Sequence, residues 1–347
     1  MKIIHFINAL ESGGAEKVMY DTIVGLDDGY THSVVTISKR GLYLNRLLER
    51  GVCVDTLSLK LVMKLLFRSR KNTVVHSYLY RSHALSVLFK LMGYFVIWSI
   101  HGSFPNNPSV LVKIVGYLSS LIPNSLIFVS KYCLDQHVQA GYCSRKSTVI
   151  HNGIDTKKFC DVKASLPNRV GKSGFVKICM VSRFHPIKDY PLFFEIASFV
   201  IKLSPKTKFY LIGKGNSNEN QDLINLISRF GLAEHVDLLG EVVHISEIYP
   251  NFDLVVSTSK SESFGLTIME AFLSGVNAST INLPVMDELL GEYSTNEGML
   301  ENKEIAIRWL EKAKISPSQE LKEFILDHYS LQNMLESYSI LYRSVVR

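Results

Sequence analysis

Residues 254–273 read LVVSTSKSESFGLTIMEAFL. The segment opens on an apolar, β-branched run, Leu254–Val256, and crosses a polar loop, Ser257 to Ser261. It closes on an apolar-periodic run that begins near Gly265. A short apolar run followed by a longer amphipathic one is a strand feeding a helix, the repeating step of a parallel sheet. The same step recurs on either side. Val176–Val181, Lys208–Ile212, Val236–Leu239 and Val276–Thr280 read as strands, and Pro191–Leu203, Gln221–Phe230, Leu266–Leu273 and Met286–Leu290 as helices. A second series fills the first half of the chain. Its strands are Ile3–Ile7, Ser33–Ile37, Val52–Leu57, Thr73–His76, Phe95–Ile100, Ser125–Val129 and Thr148–Ile150. Helical patterns such as Ala15–Leu26, Leu42–Glu49, Ser82–Met92 and Val110–Leu121 lie between them, and from Lys303 to Arg347 the pattern is helical only. A polar, basic stretch at 155–173 with Pro167 and Gly171 separates the two series. The expected class is α/β, with Rossmann-like domains at 1–165 and 174–325. A C-terminal helix at 326–347 is free to pack back on the first domain. Parallel sheets bind ligands at the carboxyl ends of their strands, so the cleft between the domains is the expected site.

Composition narrows the class. The 347 residues are 47% hydrophobic and 20% charged, enough apolar content for two cores. Five cysteines, scattered and never in a CxxC pair, suit a reducing compartment and argue against a disulfide framework or zinc knuckle. The opening MKIIHFIN reads as a strand rather than a signal peptide. The most apolar stretch, Leu85 to Ile100, is interrupted by Lys90 and Gly93, too soon for a membrane span. The net charge of +6 conceals an asymmetry: +10 over residues 1–160 and −4 over the remainder. Eleven basic residues and one acid, Asp135, lie between Lys60 and Lys146. Such a surface is either a solvated face or a contact for anionic lipid or an anionic acceptor. Nucleic acid is not expected, because no recognition motif accompanies the charge.

Three segments carry chemistry. Gly13 and Gly14 precede a helix start, where free N–H groups favour an anion, although a glycine pair also serves a plain tight turn. Ser182-Arg183-Phe184-His185-Pro186-Ile187-Lys188 puts two cations after a strand, one a planar fork for phosphate and one a point charge. Both also fit an ordinary solvated loop. Glu262 and Glu270 bracket a helix start at Gly265. A helix N-terminus for an anion beside two carboxylates for hydroxyls suits a hydroxyl-rich ligand bearing phosphate. The alternative is an acid near a helix start and an exposed helix glutamate. The chain contains no Asp-x-Asp and no HxxxH or HExxH.

In their order these segments resemble the retaining glycosyltransferases of GT-B fold called family 4, or group 1. The resemblance runs nearly the whole chain. It takes in GGAE at 13–16, His101-Gly102, Val129-Ser130 and His151-Asn152-Gly153-Ile154-Asp155. The Arg183 and Lys188 pair, Ile212-Gly213-Lys-Gly215, Leu239-Gly240 and the Glu262-x7-Glu270 element complete it. The resemblance implies that Gly13, Gly14 and Gly213 line the donor, and that Arg183 and Lys188 hold the diphosphate. It also implies that Glu262 accepts from sugar hydroxyls, that Glu270 binds the ribose, and that amides of Phe264, Gly265 and Leu266 cap the diphosphate or sugar. His101 would face the donor sugar, with a purely structural histidine as the alternative. No metal and no cofactor are expected, since Arg, Lys and amides can neutralise the leaving group.

The chain departs from the family pattern after this helix. Ser274-Gly-Val-Asn-Ala278 and Asn282-Leu-Pro-Val-Met-Asp-Glu288 lack the usual glycines, and Ser182 replaces a glycine before the arginine. The implied function is transfer of a hexose or N-acetylhexosamine, UDP being favoured, to a glycan acceptor in surface polysaccharide assembly such as lipopolysaccharide or capsule. A nucleotide-sugar 2-epimerase and a non-catalytic nucleotide-sugar-binding partner remain as alternatives. Lys60–Lys71 mixes apolar and cationic residues as an interfacial helix does, or as a core helix with basic flanks. With the charge asymmetry it suggests a lipid-linked acceptor and a peripheral contact at the cytoplasmic face of the cell membrane.

Overall fold

Seven parallel strands build the sheet of the N-terminal half: β1 (Lys2–Ile7), β2 (Thr31–Thr36), β3 (Cys53–Thr56), β4 (Thr73–Tyr78), β5 (Phe95–Ile100), β6 (Ser125–Phe128) and β7 (Ser147–Val149). Their order is β3-β2-β1-β4-β5-β6-β7. The computed structural model describes residues 1–26, 28–104, 108–160 and 174–346. It divides into one unit of Met1–Gly153 with Leu331–Arg347, and a second of Ile154–Ser330. Of the stretch expected as a linker, 161–173 lies outside the described residues.

The helices of the first unit are α1 (Gly14–Gly25), α2 (Leu42–Glu49), α3 (Leu59–Leu66), α4 (Tyr80–Leu85), α5 (Val87–Leu91), α6 (Val110–Leu118) and α7 (Lys131–Gln139). The order reverses between β1 and β4. Right-handed crossovers therefore put α1 and α2 on one face of the sheet and α3 to α7 on the other. The C-terminal helix, Leu331–Val346, packs against α1. Its Met334, Leu335, Tyr338 and Tyr342 share a core with Ile3, Val18, Val74, Ile97 and Ile127. Because both faces of the sheet are covered, the central strands read as continuous apolar runs. Serine hydroxyls of Ser58, Ser109 and Ser130 cap α3, α6 and α7, each accepting from the amide three residues on. The expected single helix Ser82–Met92 is two, α4 and α5. Ser86 at the break donates to the His83 carbonyl at 2.6 Å and accepts from the Trp98 indole at 2.8 Å, which tightens the turn.

The core of this unit is partly polar. His5 bonds His32 at 2.9 Å and the Tyr78 hydroxyl at 3.1 Å; Tyr78 in turn reaches His76 at 3.0 Å. His76 also meets Tyr342 and Ser99, each at 2.6 Å. Burial pushes the pKa of His5 and His76 well below the usual histidine range, so both rings are neutral. Neutral imidazoles can each give one hydrogen bond and take another, which a buried network needs.

In the second unit the strands are β8 (Val176–Val181), β9 (Thr207–Ile212), β10 (Val236–Gly240), β11 (Leu254–Ser257) and β12 (Asn277–Thr280). Their order is β10-β9-β8-β11-β12. The helices are α8 (Thr156–Phe159), α9 (Tyr190–Leu203), α10 (Gln221–Arg229), α11 (Leu266–Leu273), α12 (Pro284–Leu290), α13 (Asn302–Lys312) and α14 (Gln319–Tyr329). Ile178, Phe193, Phe209, Leu254 and Trp309 centre the core. Helix α8 belongs to this packing, with Phe159 against Tyr249. Among the described residues no helix is long and apolar enough to cross a membrane.

Candidate functional site

The strand order of the second unit reverses between β8 and β11, and at such a reversal the following loops part and leave a crevice at the carboxyl edge. The loops there are 182–189, which holds both cations, and 258–265, which holds Glu262 and leads into α11 with Glu270. They are tied together. The Lys260 amide donates to the Ile187 carbonyl at 2.8 Å, and the Thr258 hydroxyl lies 2.9 Å from the Lys188 carbonyl and 3.1 Å from that of Asp189. Lys188 Nζ is ion-paired with Glu262 Oε1, and both side chains keep some contact with solvent. The same carboxylate oxygen accepts from Ser259 at 2.9 Å, and Ser257 donates to Ser259 at 3.0 Å. Asp189, in the left-handed conformation, ends the first loop and lies 3.6 Å from Lys260.

A third loop completes the edge. After β9, Gly213 has a φ of +127°, and a Cβ there would collide with the Ser182 carbonyl oxygen. Only glycine takes this conformation at this approach. Asn216 donates to the Ser182 carbonyl at 2.7 Å and accepts from Tyr190 at 2.8 Å. The Ser182 hydroxyl lies 3.1 Å from that of Tyr190. Arg183 is exposed and forms no ion pair among the described residues. Together with Lys188 it makes the loop electropositive. The pKa of His185 is lowered first by burial and then by these two charges.

Gly265, with φ at +82°, caps α11, and a Cβ on it would lie 2.5 Å from Met286 Cε. Gly265 brings no side chain of its own to the N-terminus of α11, and among the described residues no side chain caps that end by a hydrogen bond. Phe264 is buried against Tyr329 at 5.5 Å between ring centres, so its amide, not its ring, is what a ligand could meet. Glu270 is 4% exposed and accepts from the Tyr249 hydroxyl at 3.3 Å. It is not the exposed helix glutamate that a bland reading of the pattern allows. Tyr249 is the residue missed from sequence. Its signal is faint, one aromatic in the 3-10 turn Tyr249–Asn251. Burial and the nearby Glu270 charge push its pKa well above the usual tyrosine range, so it stays a donor.

In the first unit Gly13 caps α1 and Gly14 begins it. The Glu16 carboxylate folds back over Gly13, where an added Cβ would strike it, so a negative charge already lies at this helix start. His101 follows β5 and stacks on Tyr78 at 5.8 Å. Desolvation lowers its pKa to about 3. It can exchange hydrogen bonds but carries no positive charge near neutral pH. Among the described residues no cluster of three or more His, Cys, Asp or Glu side chains is placed to hold a metal.

Two family models match in tandem: Glycosyltransferase Family 4 over residues 12–158 and Glycosyl transferases group 1 over 164–313. The chain belongs to the group 1 glycosyl transferases. Among curated members, an O-antigen biosynthesis glycosyltransferase, WclY of Escherichia coli, is 26% identical over 147 residues, 42% of each chain. A poly(ribitol-phosphate) alpha-N-acetylglucosaminyltransferase of Staphylococcus aureus (strain COL) is 27% identical over 172 residues, 47% of this chain and 34% of that one. The chain spans less than half the length of these curated relatives. The crystal structure of Anabaena Alr3699/HepE in complex with UDP and glucose superposes with a TM-score of 0.83 at 18% identity, covering 99% of this chain and 100% of that one. The fold of this group 1 chain is GT-B.

Proposed function

We propose that the protein is a retaining glycosyltransferase that moves a hexose or N-acetylhexosamine from a UDP-sugar to a glycan acceptor in surface polysaccharide assembly. The observation that carries the reading is the pairing of Lys188 with Glu262 across the strand-order reversal. A cation suited to a diphosphate and a carboxylate suited to sugar hydroxyls stand next to one another there. Arg183 and Lys188 neutralise the charge that grows on the departing diphosphate, and α11 offers its first amides to the same group. Glu262 accepts from the sugar, and Glu270, held by Tyr249, from the ribose. His101, Gly13 and Gly14 enter this proposal through the resemblance alone.

In the chemical step the bond from C1 of the sugar to the phosphate oxygen breaks. The acceptor oxygen bonds to C1 on the same face, and its proton passes to the departing phosphate. These cations and amides supply the stabilisation that a metal gives elsewhere, so no metal is required. UDP is chosen because Alr3699/HepE binds it. Surface polysaccharide is chosen because the relatives include an O-antigen biosynthesis glycosyltransferase and a poly(ribitol-phosphate) alpha-N-acetylglucosaminyltransferase. A lipid-linked acceptor belongs to the same reading. The test is UDP release from UDP-glucose, UDP-galactose and UDP-N-acetylglucosamine with and without a glycan-lipid fraction. Acceptor-dependent release supports transfer, whereas isomerised donor without acceptor identifies an epimerase.

A further inference from the structure

Helices α3 and α6 bury one apolar side and expose another. In α3, Leu61 and Leu65 face the core, while Leu59 is 79% exposed and Phe67, just past its end, 86%. In α6, Val112 and Val115 are buried, while Val110 is 74% and Tyr117 72% exposed. An amphipathic helix on a sheet has one apolar stripe, and the opposite side is polar. Here the outward side carries cations but also keeps large apolar residues in water.

The two helices lie on the same face of the sheet by the handedness of their crossovers. The segment between them is continuous. Tyr94, which follows α5, donates to the Leu65 carbonyl of α3 at 2.9 Å, and α4 packs against α6. Leu91 of α5 is exposed on it as well. The charges carried by this stretch of chain have one sign. Lys60, Lys64, Arg68 and Lys113 belong to it, and from residue 56 to residue 134 the sequence has no aspartate or glutamate.

We propose that the outer side of α3, α5 and α6 is a docking face for an anionic lipid bilayer. Exposed leucine, phenylalanine and tyrosine enter the headgroup boundary, and the cations are attracted to the negative leaflet. A second copy of the chain fits less well, since two such faces would bring only positive charges together. An anionic polymer would use the cations and leave Leu59, Phe67, Val110 and Tyr117 in water. The surface lies in the first unit and is independent of the donor reading of the second.

The test is cosedimentation with two kinds of vesicle, phosphatidylglycerol mixed with phosphatidylcholine, and phosphatidylcholine alone. Three proteins are compared. One is wild type; the second carries Leu59→Ser, Phe67→Ser and Tyr117→Ser; the third carries Lys60→Gln, Lys64→Gln, Arg68→Gln and Lys113→Gln. All substituted side chains except their stems are at the surface, and a thermal melt confirms that each variant folds. The expected result is wild-type binding to the anionic vesicles only, weakening as salt rises, with each variant about tenfold or more weaker. Failure of the wild type to bind anionic vesicles at low salt overturns the proposal, and so does equal binding to neutral vesicles. Undiminished binding of the Leu59, Phe67 and Tyr117 variant also overturns it, since that would be the behaviour of a polyanion site. A UDP-induced melting shift, read on the same samples, reports the donor loops separately.

Discussion

Lys188 and Glu262 are 74 residues apart in sequence and joined in space, and most of the site's chemistry rests on that contact. Replacing Lys188 by Ala removes the cation proposed for the diphosphate and leaves Glu262 without its ion-pair partner. Replacing Arg183 by Ala removes an exposed fork that pairs with no acid among the described residues. Both should lower kcat by about a hundredfold, which corresponds to ~2.7 kcal/mol of transition-state stabilisation. Arg183→Ala should leave the melting temperature unchanged. Steady-state kinetics with a melt as control checks both, and near-wild-type turnover in each would contradict the assigned roles. Tyr249→Phe removes one hydrogen bond to a nearly buried carboxylate. Weaker UDP binding, by roughly fivefold, is expected in calorimetry. Gly213→Ala forces a side chain into a conformation and a space that admit none, and should cost roughly 1–3 kcal/mol in a denaturant melt.

At the scale of elements, the alternation of strand and helix was legible because both sheets are covered on both faces. Their strands are therefore unbroken apolar runs, such as Val74–Val75 and Val255–Val256. The break at Ser86 was not legible, because it depends on an indole that arrives from β5. The mixed apolar and cationic character of Lys60–Lys71 was legible, but the exposure of Leu59, Phe67, Val110 and Tyr117 was not, because it depends on which side of each helix packs on the sheet. The glutamates, the cations and the glycines could be found from spacing. The carboxylate over Gly13 and the tyrosine behind Glu270 could not, because both depend on how side chains turn. The buried histidines of the first unit give a testable consequence. Burial holds His5 and His76 well below the usual range, His83 and His101 at about 3, and His137 at about 4. The unfolded chain, with histidines near 6.5, takes up protons that the fold refuses. Stability from these groups is complete above pH 6.5 and falls as pH drops below it, by at most ~1.4 kcal/mol per pH unit for each histidine. The melting temperature should decline between pH 6.5 and 5, before carboxylates titrate. A flat profile over that window would contradict the burial of these rings as neutral species.

For the molecule as a whole, the claim is that a GT-B chain of group 1 type handles a nucleotide-sugar with cations and backbone amides instead of a metal. Turnover should therefore survive EDTA, and full, metal-restorable inhibition would count against this. The most direct measurement comes one step earlier, at nucleotide binding. A ligand held by the folded state alone raises stability by ~2.7 kcal/mol when present at about a hundred times its Kd. Titrating UDP, with GDP and ADP alongside, against the melting temperature of the wild type and of Arg183→Ala tests whether the loops at the β8 and β11 edge form a nucleoside diphosphate site. The account predicts a saturable upward shift with UDP that is much reduced in the variant. No shift with any of the three nucleotides, or an undiminished UDP shift in Arg183→Ala, would contradict it.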